Sequence, residues 1–119
     1  MVKQFHFIYK WKTFKDAEIL CKGKGLRVYQ PYDTLIHKKV HELVETVKFG
    51  QYWIRSEWTT SFRYWNDKEP TNLNECIVGG LKNSNDESSP YWSSYKCADE
   101  AQVICEDFLN FTDPQPGNF

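Results

Sequence analysis

The chain has 119 residues, 40% hydrophobic and 17% aromatic, enough for one domain with a single aromatic-rich core. Its 15 basic and 16 acidic side chains leave a formal charge of -1, which carries no footprint for nucleic acid or an acidic membrane. No apolar run reaches the roughly 18 residues of a membrane helix, so no membrane insertion by this segment is expected.

Met1 runs straight into strand-like sequence with no signal-peptide pattern, as expected for a mature or excised domain. From Lys3 to Trp11 the residues alternate: Phe5, Phe7, Tyr9 and Trp11 share one parity. That predicts a half-buried strand. Thr13 then begins a helix, with Asp16 three residues on as a capping-box variant. Phe14, Ala17 and Cys21 fall on its inner face, and Gly23 and Gly25 supply the stop.

Leu26 to Tyr32 reads as extended and is interrupted at Pro31. Asp33 or Thr34 caps a second helix, whose apolar stripe is Ile36, Val40, Leu43, Val44 and Val47. His37, His41 and Glu45 run at i, i+4, i+8 beside that stripe. Histidines at i and i+4 can share a metal ion. The preferred reading is a solvated flank, with the helix ending at Gly50.

Tyr52-Trp53-Ile54 and Phe62 to Trp65 read as short strands, as do Ile77-Val78, Tyr91-Trp92 and Ala101 to Glu106. Lys82 to Pro90 is a polar loop or hairpin tip. Residues 108 to 119, with Pro114, Pro116 and Gly117, read as a tail or linker after a domain spanning 1 to 107. Asn110-Phe111-Thr112 is an acceptor pattern for N-glycosylation in a secreted chain. Trp53 and Trp92 are expected in the core. Trp58, Tyr64, Trp65, Tyr91 and Tyr95 lie in or beside loops, where rings stack on sugars, anchor a protein partner or pack beneath the loop.

Cys21, Cys76, Cys97 and Cys105 form an even set without a Cys-x-x-Cys spacing or neighbouring histidines. Two disulfides in an oxidising compartment fit better than a zinc site, and three pairings are open. The run Trp65 to Cys76 is rich in amides and carboxylates and punctuated by Pro70. It cannot bury itself, because those groups need water, partners or an ion. It reads as a surface loop held at both ends.

The ordered set of Thr13-Phe14 through Cys21, Tyr52-Trp53-Ile54, Glu69-Pro70-Thr71, Glu75-Cys76, Trp92 to Cys97 and Val103 to Glu106 resembles a C-type lectin-like domain over about residues 5 to 106. The resemblance implies an α+β fold, with two helices packed on small antiparallel sheets beneath an irregular, shortened long-loop region. It also implies the pairings Cys21–Cys105 and Cys76–Cys97, with the two chain ends side by side. Where such domains bind sugar, a calcium ion does the work, and calcium takes about six to eight oxygen ligands. Glu69 and Pro70 match that motif, but Thr71 replaces its asparagine, and Ser93 and Ser94 replace the Asn-Asp pair after Trp92. The standard calcium–sugar site is therefore not expected, nor any other cofactor. Were calcium to bind, Glu69, Asn72 and Glu75 would hold it, with Asp86, Glu87 or Asp99 entering from neighbouring loops.

The expected function is an extracellular or secreted recognition module, binding a protein or glycan through its loop face. The candidate ligand-binding residues are Glu69, Asn72, Asn74, Glu75, Trp58 and Tyr91. The alternatives are a calcium-dependent lectin with non-standard ligands and a structural domain of a larger extracellular protein. Such a module can belong to a longer chain or to a homo- or hetero-oligomer. Enzymatic activity is not expected, since no nucleophile with a neighbouring base stands out once the cysteines are paired.

Overall fold

Ala101 to Asp107 is the strand on which the other elements assemble. In the computed structural model it alternates Ala101, Val103 and Cys105 toward one apolar cluster and Ile104 toward another, with all but Asp107 buried. A strand buried on both faces needs cover on both sides. The structure describes residues 4–31, 33–55, 64–65, 69, 75–80 and 90–107.

The described elements are β1 (Phe5–Lys12), α1 (Phe14–Gly23), β2 (Leu26–Val28), α2 (Thr34–Thr46), β3 (Tyr52–Ile54), β4 (Cys76–Gly79), β5 (Ser93–Tyr95) and β6 (Ala101–Asp107). The strand order is β1-β6-β3-β4-β5, with β2 also paired to β6. All pairings are antiparallel except β3 with β6, where Tyr52 faces Gln102 in parallel. This is the expected α+β arrangement. The described chain ends meet as expected: Asp107 N–H donates to Gln4 O at 3.3 Å, and Gln4 N–H donates to the Asp107 carboxylate at 3.1 Å. Among the described residues no helix is long and apolar enough to cross a membrane.

The sheet separates two cores. Ala17 and Cys21 of α1 join Val28, Trp53, Val78, Val103 and Cys105 in one. Val40 and Val44 of α2 join Tyr29, Phe49, Tyr52, Ile54, Trp92 and Ile104 in the other. Trp53 and Trp92 are both fully buried, as expected, and Trp53 Nε1 donates to Lys12 O at 2.6 Å. Both disulfides form in the expected pairing, Cys21–Cys105 and Cys76–Cys97, with Cα separations of 5.6 and 5.1 Å. Each contributes about 2–4 kcal/mol by constraining the unfolded chain. The first ties α1 to β6. The second ties the start of β4 to the segment after β5.

Thr13 caps α1, its hydroxyl accepting from Asp16 N at 3.3 Å, and Asp33 caps α2 through Ile36 N at 3.0 Å. Gly25 follows α1 at φ 73°. Strand β1 is less regular than its alternation predicts. Phe5 and Phe7 pack on the second core and Ile8 on the first, but the register shifts between Ile8 and Lys12. Beyond that point Tyr9 and Trp11 are exposed.

The inward face of α2 corrects the sequence reading. Ile36, Leu43 and Val47 are 45, 53 and 44% exposed, while His37 and His41 are buried beside Val40 and Val44. The predicted solvated flank is thus part of the core. Hydrogen bonding explains the choice. His37 Nε2 lies 2.7 Å from Pro90 O, and its Nδ1 lies 2.7 Å from Tyr29 Oη. A carbonyl only accepts, so Nε2 carries the proton and Nδ1 accepts from the tyrosine. His41 repeats the arrangement, with Nε2 3.0 Å from Glu45 Oε1 and Nδ1 2.9 Å from Tyr52 Oη. The helix also stops before Gly50, at Thr46, and the chain turns through Lys48 at φ 53° and Gly50 at φ 92°. Gly79 is required where it stands, because a Cβ there would meet the Tyr52 ring at 2.8 Å.

Burial pushes the His37 imidazole down from 6.5 to about 4. Burial also lowers His41, against the pull of Glu45. Between pH 6.5 and 4 the unfolded chain binds a proton at His37 that the folded chain refuses, so stability falls as pH falls through that window. The shift corresponds to about 3 kcal/mol. We expect urea unfolding at pH 7 and pH 4 to show a larger loss for the wild type than for His37→Gln, which keeps a donor and an acceptor but does not titrate. Equal losses in the two proteins would show that His37 does not carry this dependence.

Candidate ligand-recognition face

The segment at 64–65, Glu69 and the chain entering β5 build this face. Trp65 and Trp92 form an isolated parallel bridge, and Trp92 N–H donates to Tyr64 O at 2.7 Å. These bonds bring the segment at 64–65 alongside the chain entering β5. The Trp65 ring meets the buried Trp92 ring edge-on, with centroids 5.5 Å apart. Tyr64 stacks on Tyr91 at 4.5 Å with planes only 9° apart. Tyr64 in turn meets the His37 ring edge-on at 5.3 Å. Tyr91 remains 43% exposed and Tyr64 is half-buried. Partial burial and the Tyr91 hydroxyl raise the Tyr64 phenol above its ordinary value. The result is a two-ring platform backed by helix α2.

Glu69 lies beside this platform. Its Oε1 accepts from Ser94 N–H on β5 at 3.0 Å. Ser93 is buried and Ser94 half-buried. Glu75, immediately before β4, is half-buried. The structure thus assigns Glu69 a backbone-holding contact that motif reading did not foresee. Asn72, Asn74 and Trp58 lie outside the described residues, as do Asp86, Glu87 and Asn110. So do Phe62-Arg63 and most of the segments between Ile54 and Cys76, so the expected loop shortening falls outside them too.

The described donors do not fit a calcium ion. One Glu69 oxygen is engaged by a backbone amide, and serines occupy the positions after Trp92. Calcium selects several carboxylate and carbonyl oxygens around one point. Among the described residues, no group of three His, Cys, Asp or Glu side chains is placed to hold a metal. The His37–His41 pair is occupied instead by Tyr29, Pro90, Tyr52 and Glu45. The chemistry this face offers is ring stacking, phenol hydrogen bonding and a partly exposed carboxylate.

Sequence reasoning named Tyr91 and Glu69 as contact candidates and Tyr64 among the loop-side rings, but not the Tyr64–Tyr91 stack or His37 behind it. The signal available for His37 was its helical spacing to His41.

No protein-family model and no curated protein sequence matches the chain. Solved structures do match. The carbohydrate-recognition domain of the mouse scavenger receptor C-type lectin superimposes with a TM-score of 0.71 at 20% identity, over 89% of this chain and 88% of that one. Human lithostathine gives 0.74 at 19% identity, over 92% and 94%. A calcium-independent type II antifreeze protein gives 0.70 at 18% identity, over 87% and 85%. These likenesses span nearly the whole chain, and with the two disulfides and the sheet order they show that it has the C-type lectin-like fold.

Proposed function

We propose that this protein is an extracellular or secreted recognition module that binds a protein or glycan through the face around Tyr64 and Tyr91. The carrying observation is the exposed tyrosine stack fixed above a buried histidine, with Glu69 committed to the β5 backbone. Stacked phenols present a flat apolar surface with polar edges, which suits a sugar ring or a protein hot spot. Two disulfides favour an oxidising compartment. Asn72, Asn74, Glu75 and Trp58 are the further contact candidates, and recognition proceeds without the standard calcium–sugar site. The domain spans 1 to 107, with 108 to 119 as a tail and Asn110 as a glycan acceptor. In this reading the domain does no catalysis and works within a longer chain or an assembly.

A thermal melt in EDTA and in about 5 mM calcium tests the ion's role, since calcium at about 100 times its Kd would add about 2.7 kcal/mol. Coincident melts are expected; a rise of several degrees would restore the calcium-dependent reading. On glycan and cell-surface protein arrays, hits are expected to survive EDTA and to weaken about ten-fold or more in Tyr91→Ala, the scale of a lost aromatic anchor. The absence of any saturable ligand would favour a purely structural domain.

Glu69 gives a separate expectation. Loss of its charge-assisted bond to Ser94 predicts that Glu69→Ala loses about 1–3 kcal/mol of stability, equally with and without calcium. Destabilisation only in the presence of calcium would mean that the carboxylate is an ion ligand.

A further inference from the structure

Helix α2 turns an apolar strip to solvent. Ile36, Leu43 and Val47 stand at i, i+7 and i+11 along one side of the helix, with Leu35, 63% exposed, at the border. At about 100° of turn per residue the strip lies roughly a third of a turn from His37 and His41, the rings that reach Pro90 and Tyr52. Four of the eight large apolar side chains exposed among the described residues stand on α2 or directly after it. Single exposed apolar residues are ordinary, but a contiguous strip marks a contact surface.

The charges of α2 run against its own dipole. Its first turn holds no acid and its last turn no base. Lys38 and Lys39 stand in the N-terminal half, and Glu42 and Glu45 in the C-terminal half. A lone helix is stabilised by the opposite order. Glu45 is answered by His41. Lys39 and Glu42 border the apolar strip, and among the described residues neither takes part in an ion pair.

We propose that the protein self-associates through this strip, as an antiparallel pair of α2 helices about a two-fold axis. Each N-terminal half then lies beside the C-terminal half of the other helix, which corrects the order of both charges and dipoles. With the axis midway between Ile36 and Val47, Ile36 meets the partner's Val47. Leu43 lies on the stem of the partner's Lys39, and Lys39 reaches the partner's Glu42. The two-fold repeats each contact. An unlike partner would have to supply an acid for Lys39 and a base for Glu42, whereas a second copy carries both. The outer edge of β1 is a poorer contact. It pairs with no strand among the described residues, but the register shift between Ile8 and Lys12 and the lysines at 10 and 12 guard it against strand addition. The helix is only about 20 Å long, too short to cover the roughly 800 Å² per partner of a stable interface, so association is weak and is sought at about 0.1–1 mM.

The test is sedimentation equilibrium of the oxidised full chain over that range, with amide NMR shifts followed through the same dilution series. The mass is expected to rise from one chain toward two, with concentration-dependent shifts at Leu35, Ile36, Lys39, Leu43 and Val47. Leu43→Ser should weaken association about ten-fold, the scale of a lost apolar anchor. Lys39→Glu and Glu42→Lys each set like charges opposite one another twice and should weaken it about ten-fold or more. An equimolar mixture of those two variants should associate to within a few-fold of the wild type, because each supplies the charge that the other lacks. All three positions are exposed, so the dilute variants should melt within a few degrees of the wild type. A single-chain mass at about 1 mM would overturn the proposal. So would shifts centred on β1 or on the tyrosine platform, a mixture no tighter than its components, or contacts from residues 108 to 119 to Leu43 within a monomer. None of these readouts uses Tyr91 or Glu69, so failure here is separable from failure of the proposed recognition.

Discussion

The carboxylate of Glu106 is the constraint around which much of the molecule is arranged. It sits on a strand buried on both faces, where an unpaired charge would cost several kcal/mol. Its two oxygens are answered by Arg27 Nε and Gln30 N–H, both from the segment that begins as β2. That pairing accompanies the β2–β6 register, in which Arg27 faces Glu106 and Val28 faces Cys105. One residue earlier on β6, the Cys21–Cys105 disulfide fixes α1 on the same part of the strand. Slipping β6 by one position would move Glu106 into an apolar cluster and Cys105 away from its partner. Polar pairing and covalent linkage therefore enforce one register.

A second polar framework joins the other core to the tyrosine platform. Tyr29 leaves β2 and donates to His37, and His37 donates to Pro90 O just before Tyr91 and Trp92. Tyr52, on β3, donates to His41 of the same helix. Helix α2 is thus attached to the sheet by two tyrosine–imidazole bonds rather than by apolar packing alone. A neutral imidazole offers one donor and one acceptor on opposite edges of a small ring. That is what the inward face of this helix needs between a tyrosine hydroxyl and a backbone carbonyl. The price is sensitivity to acid, because neither ring has solvent to help it carry a charge.

These histidines also mark where sequence reasoning stopped. The two helices, their caps and the β3, β4 and β6 strands were legible because their signals are local: alternation, helical spacing, a capping residue. The disulfide pairing was legible only through family resemblance, since spacing left three solutions. The inward face of α2 was not legible. Ile36, Val40, Leu43, Val44 and Val47 form a better apolar stripe than the face actually buried. Hydrophobic periodicity cannot register that Tyr29 and Tyr52 supply donors at the positions of His37 and His41. The Arg27–Glu106 pair, 79 residues apart, and the Glu69–Ser94 contact, 25 apart, escape for the same reason. At the site, Tyr91, Tyr64 and Glu69 were named from the chain, but the Tyr64–Tyr91 stack exists only once distant segments meet.

The role of Glu69 bears on how the fold orders the region beside β5. A carboxylate in a crowded loop base needs compensation, and an ion is one way to supply it. A backbone N–H is another, and it is available where the adjacent strand turns a donor away from its ladder partner. Ser94 on β5 does so, since β5 pairs with β4 on its other side. The positions after Trp92 then need not be acids or amides, and small serines suffice there. With the carboxylate satisfied by the protein, the order of this region rests on the sheet edge, the Trp65–Trp92 contact and the Cys76–Cys97 bridge. The tyrosine platform is then presented by the fold itself, its two phenol rings stacked on each other and backed by the His37 ring.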